Sequence, residues 1–150
     1  TLTDKNHNRI IGFGRYAGVV GAYNGILGYG LKYDLFRIKP AHLCRDRAEM
    51  EEELKRVKLP NIKIALTGGG RVANGVIETL SALRIRKVTP EEFLMASFRE
   101  PVYCQLNPRD YVERPNDHNF DLNDFFKHPE HFVSRFNAFT KVTDLYISAH

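Results

Sequence analysis

Apolar positions recur with two different periods along this chain, and the change falls near residue 62. In residues 14–33, "GRYAGVVGAYNGILGYGLKY", the pattern is helical, with glycines at 14, 18, 21, 25 and 28. That spacing puts the glycines on one side of a helix. Each costs a helix interior about 1 kcal/mol against alanine. Five on one face predict that another backbone, or a second subunit, comes close to it. Ahead of this helix, Leu2–Thr3 and Arg9–Phe13 read as short strands around the turn "DKNHN", since Asn and Asp favour tight local turns. Beyond it, the stretch from Tyr33 reads as extended or irregular up to Pro40. "RDRAEMEEELKRVKL" (45–59) reads as an exposed helix that Pro60–Asn61 ends.

From residue 62 onward, strand-like and helix-like segments alternate. "IKIALT" (62–67) is a buried strand, and residues 71–83 carry Val72, Val76, Leu80 and Leu83 at helical spacing. "RKV" (86–88) is a short strand. "TPEEFLMASF" then opens a helix, with Thr89 as N-cap, Pro90 in the first turn and Glu92 three residues after the cap. "PVYCQL" (101–106) is a strand, 107–121 a polar loop, Pro129–Phe139 a helix and "TDLYISA" (143–149) the last strand. The alternation predicts an α/β fold, a Rossmann-like, mostly parallel sheet with flanking helices. The sheet is expected to be cut after about the fourth strand, and the glycine-rich connector helix precedes it. The chain divides into a strand pair with connector helix (1–34), a linker with exposed helix (35–60) and a partial Rossmann-like domain (62–150).

Composition narrows the picture. At 150 residues, 43% hydrophobic and 27% charged, the chain is one globular domain in size. Its net charge of +4 is spread among mixed signs, without a basic stripe interleaved with aromatics, so a nucleic-acid partner is not expected. Cys44 and Cys104 form no CxxC and no zinc spacing, and read as free thiols of a reducing compartment, the cytoplasm. No apolar run has membrane-spanning length, so no membrane partner is expected. The opening "TLTDKN" and the ending "DLYISAH" read as cuts through a folded region, which predicts a domain excised from a longer protein. A cut sheet exposes an unpaired edge. Self-association into a homo-oligomer is therefore expected.

The candidate chemistry lies in "IALTGGGRVANG" (64–75). "GGGRVA" fits G-x-G-x-x-A, with Gly68 for a tight turn, Gly70 for close approach of a pyrophosphate and Ala73 for helix–strand packing. The helix N-terminus adds unpaired N–H groups and partial positive charge, and Arg71 a cation. The candidate cofactor-binding residues are thus Gly68, Gly69, Gly70, Arg71, Val72, Ala73 and Thr89. Thr89 stands after the second strand, where an acid for the ribose hydroxyls is expected. Glu91 and Glu92 read more simply as first-turn helix acids. A P-loop is excluded, because no Gly-Lys-Ser/Thr follows. An S-adenosylmethionine loop usually carries an acid at the end of the first strand, and "IALT" has none. "NPRDY" (107–111) follows a strand's carboxyl end, where ligands bind in open sheets, and reads first as a proline turn. His128 and His131 are three apart with Glu130 between; Pro129 interrupts the pattern, so the stretch reads as a solvated helix start and no metal site is assigned.

Three blocks together, residues 2–26, 62–85 and 143–149, resemble the lysine-forming saccharopine dehydrogenases, within the alanine dehydrogenase and pyridine nucleotide transhydrogenase superfamily. Arg9, Phe13, Gly14, Ala17 and Gly18 match that family's block leading into a long interdomain helix. Thr67 (where the family has Gly), Gly70, Arg71 and Gly75 match its "G-x-x-G-R-x-x-x-G" loop. The resemblance implies an NAD(P)-binding domain, NAD favoured, from an oxidoreductase of amino and imino acids. It also implies that the acid–base Lys and His lie in a catalytic domain outside this chain, so no catalytic residue is assigned here and the fragment alone should be inactive. The alternatives are a non-catalytic Rossmann-like module for nucleotide sensing or assembly, and a methyltransferase.

Overall fold

The structure is a computed structural model that describes residues 2–7, 10–116 and 119–150. Its longest helix, α1 (Gly14–Lys32), crosses α3 (Arg71–Ala82) on one face of a parallel four-stranded sheet. The strands are β1 (Lys63–Thr67), β2 (Arg86–Lys87), β3 (Val102–Leu106) and β6 (Leu145–Ser148), in the spatial order β2-β3-β1-β6. β1 is central, paired in parallel with β3 through Ala65↔Cys104 and with β6 through Ala65↔Tyr146. The expected α/β class, with a mostly parallel sheet and flanking helices, is what the chain adopts.

Strand alternation assigns the faces. Ile64 and Leu66 point to the α1/α3 side, where Ala22, Ile26, Val76 and Leu80 complete one buried cluster. Ala65 points the other way, with Val102, Cys104 and Leu106 of β3, towards Phe93 of α4 (Pro90–Met95) and Phe139 of α7 (Phe136–Thr140). A third cluster joins Val19 and Tyr23 of α1 to Met50 and Leu54 of α2 (Arg47–Leu54), so that helix is shorter and less exposed than its charge pattern suggests.

The close approach expected of α1 is made by α3. A Cβ on Gly18 would overlap the Val72 carbonyl oxygen and stand 2.9 Å from the Val76 nitrogen. A Cβ on Gly75 would overlap the Arg15 carbonyl oxygen and stand 2.8 Å from the Val19 nitrogen. Among the described residues, Gly21, Gly25 and Gly28 have no such neighbour within 4 Å. The stripe is thus used at its N-terminal end within this chain and open along the rest.

Two elements differ from expectation. Thr3 is a bridge position and 10–13 carry no strand, although the Ile10 N–H donates to the Leu2 carbonyl at 3.1 Å; Arg9 lies outside the described residues. Leu2 and Ile10 are largely exposed, so no buried face stabilises a longer pairing. The helix expected at Pro129–Phe139 is instead a 3-10 turn (Pro129–His131), the short strand β5 (Val133–Ser134) and α7. β5 pairs antiparallel with β4 (Val112–Glu113), which follows the one-turn helix α5 (Pro108–Tyr111); α6 (Leu122–Lys127) lies between β4 and the turn. Long-range pairing has overridden local helix preference here.

Three charges lock the helical layer. Glu78 of α3 accepts from Arg15 Nε at 2.6 Å and from Arg47 Nη1 at 2.8 Å. Hydrogen bonds from these two guanidiniums hold its carboxyl down at about 2, against an ordinary 4.5. The folded value is depressed, so the contribution is full above about pH 4.5 and is lost as pH falls towards 2. Urea denaturation between pH 5 and pH 3 should therefore show a shallower loss of stability in Glu78→Gln than in the parent. Equal slopes would mean that the triad contributes nothing.

Candidate functional site

The glycine loop leaves the carboxyl end of the central strand, and each of its residues has a separate role. Gly68 has φ +111°, and a Cβ there would overlap the carbonyl oxygen of Ala149, just beyond β6. A side chain is excluded twice, by backbone conformation and by space. The turn is held further by the Ala149 N–H donating to the Thr67 carbonyl at 2.9 Å and by Gln105 Nε2 donating to the Gly68 carbonyl at 3.0 Å. Lys87 Nζ in turn donates to Gln105 Oε1 at 2.9 Å, so β2, β3 and the loop form one polar chain.

Gly69 and Gly70 differ from Gly68. Both are exposed; a Cβ on Gly69 would meet Asn107 Oδ1 at 3.9 Å, and one on Gly70 would meet nothing within 4 Å among the described residues. Gly70 is the N-cap of α3, with φ −94° and ψ −160°, an extended conformation that any residue adopts. Neither backbone strain nor packing calls for glycine there; as an N-cap, glycine is better than an aliphatic residue. No side chain caps α3, and its first turn holds no acid. The first-turn N–H groups of this twelve-residue helix thus have no side-chain cap and carry its partial positive charge. Arg71 is exposed at the same end, and no carboxylate pairs with it among the described residues. Val72 is half-buried against α1, and Ala73 is fully buried between helix and strand.

The sheet order changes the meaning of the second strand. β3 lies between β2 and β1, so the tip of the strand beside β1 is Asn107, and Thr89 stands one strand further out. The Thr89 hydroxyl accepts from the Glu92 N–H at 3.1 Å, and Glu92 Oε2 accepts from the Thr89 N–H at 2.9 Å, a complete capping box for α4. Those backbone and hydroxyl bonds hold the Glu92 carboxyl below its ordinary range. Thr89 still borders the crevice.

That crevice, about 540 Å³, opens over the carboxyl ends of β2 and β3 and is lined by Lys87, Thr89, Gln105, Asn107, Arg109 and Asp110, among others. Its two acids are engaged in helix caps: Glu92 as above, and Asp110 Oδ2 accepting the Asn107 N–H at 2.7 Å. A second depression, about 250 Å³, lies on the β6 side of β1. Thr67, Tyr111, Ser134, Phe136, Tyr146 and His150 line it, and Thr67 Oγ1 lies 2.8 Å from the Tyr146 hydroxyl and 3.1 Å from His150 Nε2. Sequence reasoning noted "NPRDY" but passed over Lys87 and Gln105. The available signal was a polar residue near the carboxyl end of each strand, next to the glycine loop in space and distant from it in sequence.

The cysteines lie elsewhere. Both are free; burial pushes the Cys104 thiol up to about 12, so it is no nucleophile near neutral pH. Among the described residues no helix is long and apolar enough to cross a membrane.

Comparison with known proteins gives one consistent result. The chain is 26% identical, over 159 aligned positions covering 91% of it, to the mitochondrial alpha-aminoadipic semialdehyde synthase of Rattus norvegicus. The enzymes of that name from Mus musculus and Bos taurus match at the same 26% identity. In each case the match spans 17% of the relative's length. No protein-family model matches the chain.

Proposed function

We propose that this chain is the NAD(P)-binding portion of an oxidoreductase acting on amino acids, with the coenzyme pyrophosphate held by residues 68–73. The observation that carries the reading is positional. The glycine loop leaves the central strand where the chain order reverses, with β3 on one side of β1 and β6 on the other. Ligands of open α/β sheets bind at this point. The uncapped α3 and bare Gly70 fit an anion there; one depression lies over β2 and β3 and another beside Thr67 and Tyr146. The adenosine half belongs over β3 and β2, the nicotinamide half over β6.

When bound, the coenzyme supplies a hydride acceptor or donor. This chain's own residues would bind and orient it: the loop N–H groups the pyrophosphate, Asn107 the ribose. Proton transfer falls to a domain outside these residues. The relatives support the amino-acid side of the reading, since their name is that of a synthase of an aminoadipic semialdehyde. The cytoplasm was the compartment expected from composition; the relatives are mitochondrial by name.

The crevice bears on coenzyme choice. The family resemblance favours NAD. Lys87 and Arg109 instead offer two cations beside a ribose site whose acids are committed to caps, which favours a 2′-phosphate. Calorimetric titration with NAD, NADH, NADP and NADPH tests both statements. Lys87→Gln with Arg109→Gln is expected to weaken NADPH about tenfold, roughly 1.4 kcal/mol, and NADH less than threefold. Equal losses would return the preference to NAD. No binding of any coenzyme at about 1 mM would end the reading for this chain.

A further inference from the structure

Residues 128–131 connect α6 to β5, away from the glycine loop. His128 ends α6 and precedes the 3-10 turn Pro129–His131. In such a turn, positions three apart eclipse. The imidazoles of His128 and His131 accordingly stack, with centroids 5.2 Å apart and planes 17° from parallel. Glu130 Oε1 lies 3.2 Å from His128 Nδ1 and 4.0 Å from His131 Nε2. One donor atom from each of the three residues falls within 4.8 Å of the others. Pro129, which breaks the α-helical pattern in sequence, is the first residue of the turn that assembles them; its fixed φ suits that position.

We propose that His128, Glu130 and His131 form a binding site for one divalent cation of the zinc type. Two imidazole nitrogens and one carboxylate oxygen are the donor set of borderline d-block ions. Magnesium and calcium require six or more oxygen donors and are not served by it. Around a tetrahedral zinc with bonds of 2.0–2.2 Å, donors stand roughly 3.3–3.5 Å apart. Closing from the present spacing takes rotation of exposed side chains, at the cost of the His128–His131 stack. Three protein ligands leave a fourth position for water or an external ligand. A bound ion would brace the turn that leads into β5, whose Ser134 lines the depression beside Thr67 and Tyr146.

The test is zinc titration by calorimetry, with cobalt(II) as an optical reporter of coordination geometry and magnesium as the comparison ion. The expected result is one zinc per chain and a tetrahedral cobalt spectrum. His128→Ala, His131→Ala and Glu130→Gln should each weaken zinc at least tenfold, while His42→Ala, remote in sequence, should not. All four side chains are exposed, so melting temperatures without metal should match the parent and keep lost binding distinct from lost folding. Zinc binding unchanged in the cluster variants, magnesium binding as tight as zinc, or no zinc binding at about 1 mM would overturn the proposal.

Discussion

Gly70→Val is expected to weaken coenzyme binding about a hundredfold or more, some 2.7 kcal/mol, while shifting the melting temperature by no more than about 4 °C. The two readouts separate because the structure separates two uses of glycine in one loop. Gly68 is required by the fold: its φ is positive and its Cβ position is filled by the Ala149 carbonyl. Gly70 is not: its backbone is extended and its Cβ position is open. Valine fits there without a clash, at the modest cost of a poorer N-cap, about 1 kcal/mol. What valine removes is close access to the N–H groups of α3, where a pyrophosphate would have to lie. Calorimetry and thermal melting of the same two preparations give the answer. Unchanged affinity would take the loop out of the binding site. A collapse of stability would mean that Gly70 supports the fold in a way its open surroundings do not show.

The second large effect concerns α1. Gly18→Ala and Gly75→Ala are each expected to cost about 2–4 kcal/mol, after the roughly 1 kcal/mol that alanine returns in helix propensity. Either Cβ would overlap a carbonyl oxygen of the opposing helix, and backbone atoms cannot rotate aside. The two helices would have to move apart, opening the layer that buries Ala22, Ile26 and Val76. Gly25→Ala, on the same stripe of the same helix, meets nothing and should be neutral or stabilise by up to about 1 kcal/mol. Urea denaturation of the three variants decides the matter. Equal behaviour at positions 18 and 25 would show that α1 does not cross α3 at Gly18. Gly14 and Gly18 lie in one block of the saccharopine dehydrogenase resemblance and Gly75 in another, and the crossing is where those blocks meet.

Much of the fold was legible where its causes are local. The apolar run of β1, the helical spacing of Val72, Val76 and Leu80, and the Thr89–Glu92 capping box all depend on residues within a few positions of each other. Pro129–Phe139 failed because its helix signal competes with pairing to Val112 and Glu113, about twenty residues back. The glycine loop was found as a motif, but its neighbours Gln105, Asn107 and Lys87 were not assembled around it, since they arrive on separate strands.

By itself, then, the sequence determined the alternation of elements, the class of the sheet and the place of the glycine turn, because periodicity, capping and turn chemistry act over short range. Tertiary structure decided the strand order. Backbone hydrogen bonds do not distinguish one strand from another, so the choice fell to burial. Arg86–Lys87 is exposed and suits an edge, while Val102, Cys104 and Leu106 pack on one face with Tyr103 on the other and suit the interior. That choice put Asn107 beside the glycine loop and Thr89 beyond it. It also settled which glycines of α1 meet another backbone, since only the crossing of two packed helices fixes where two chains come closest.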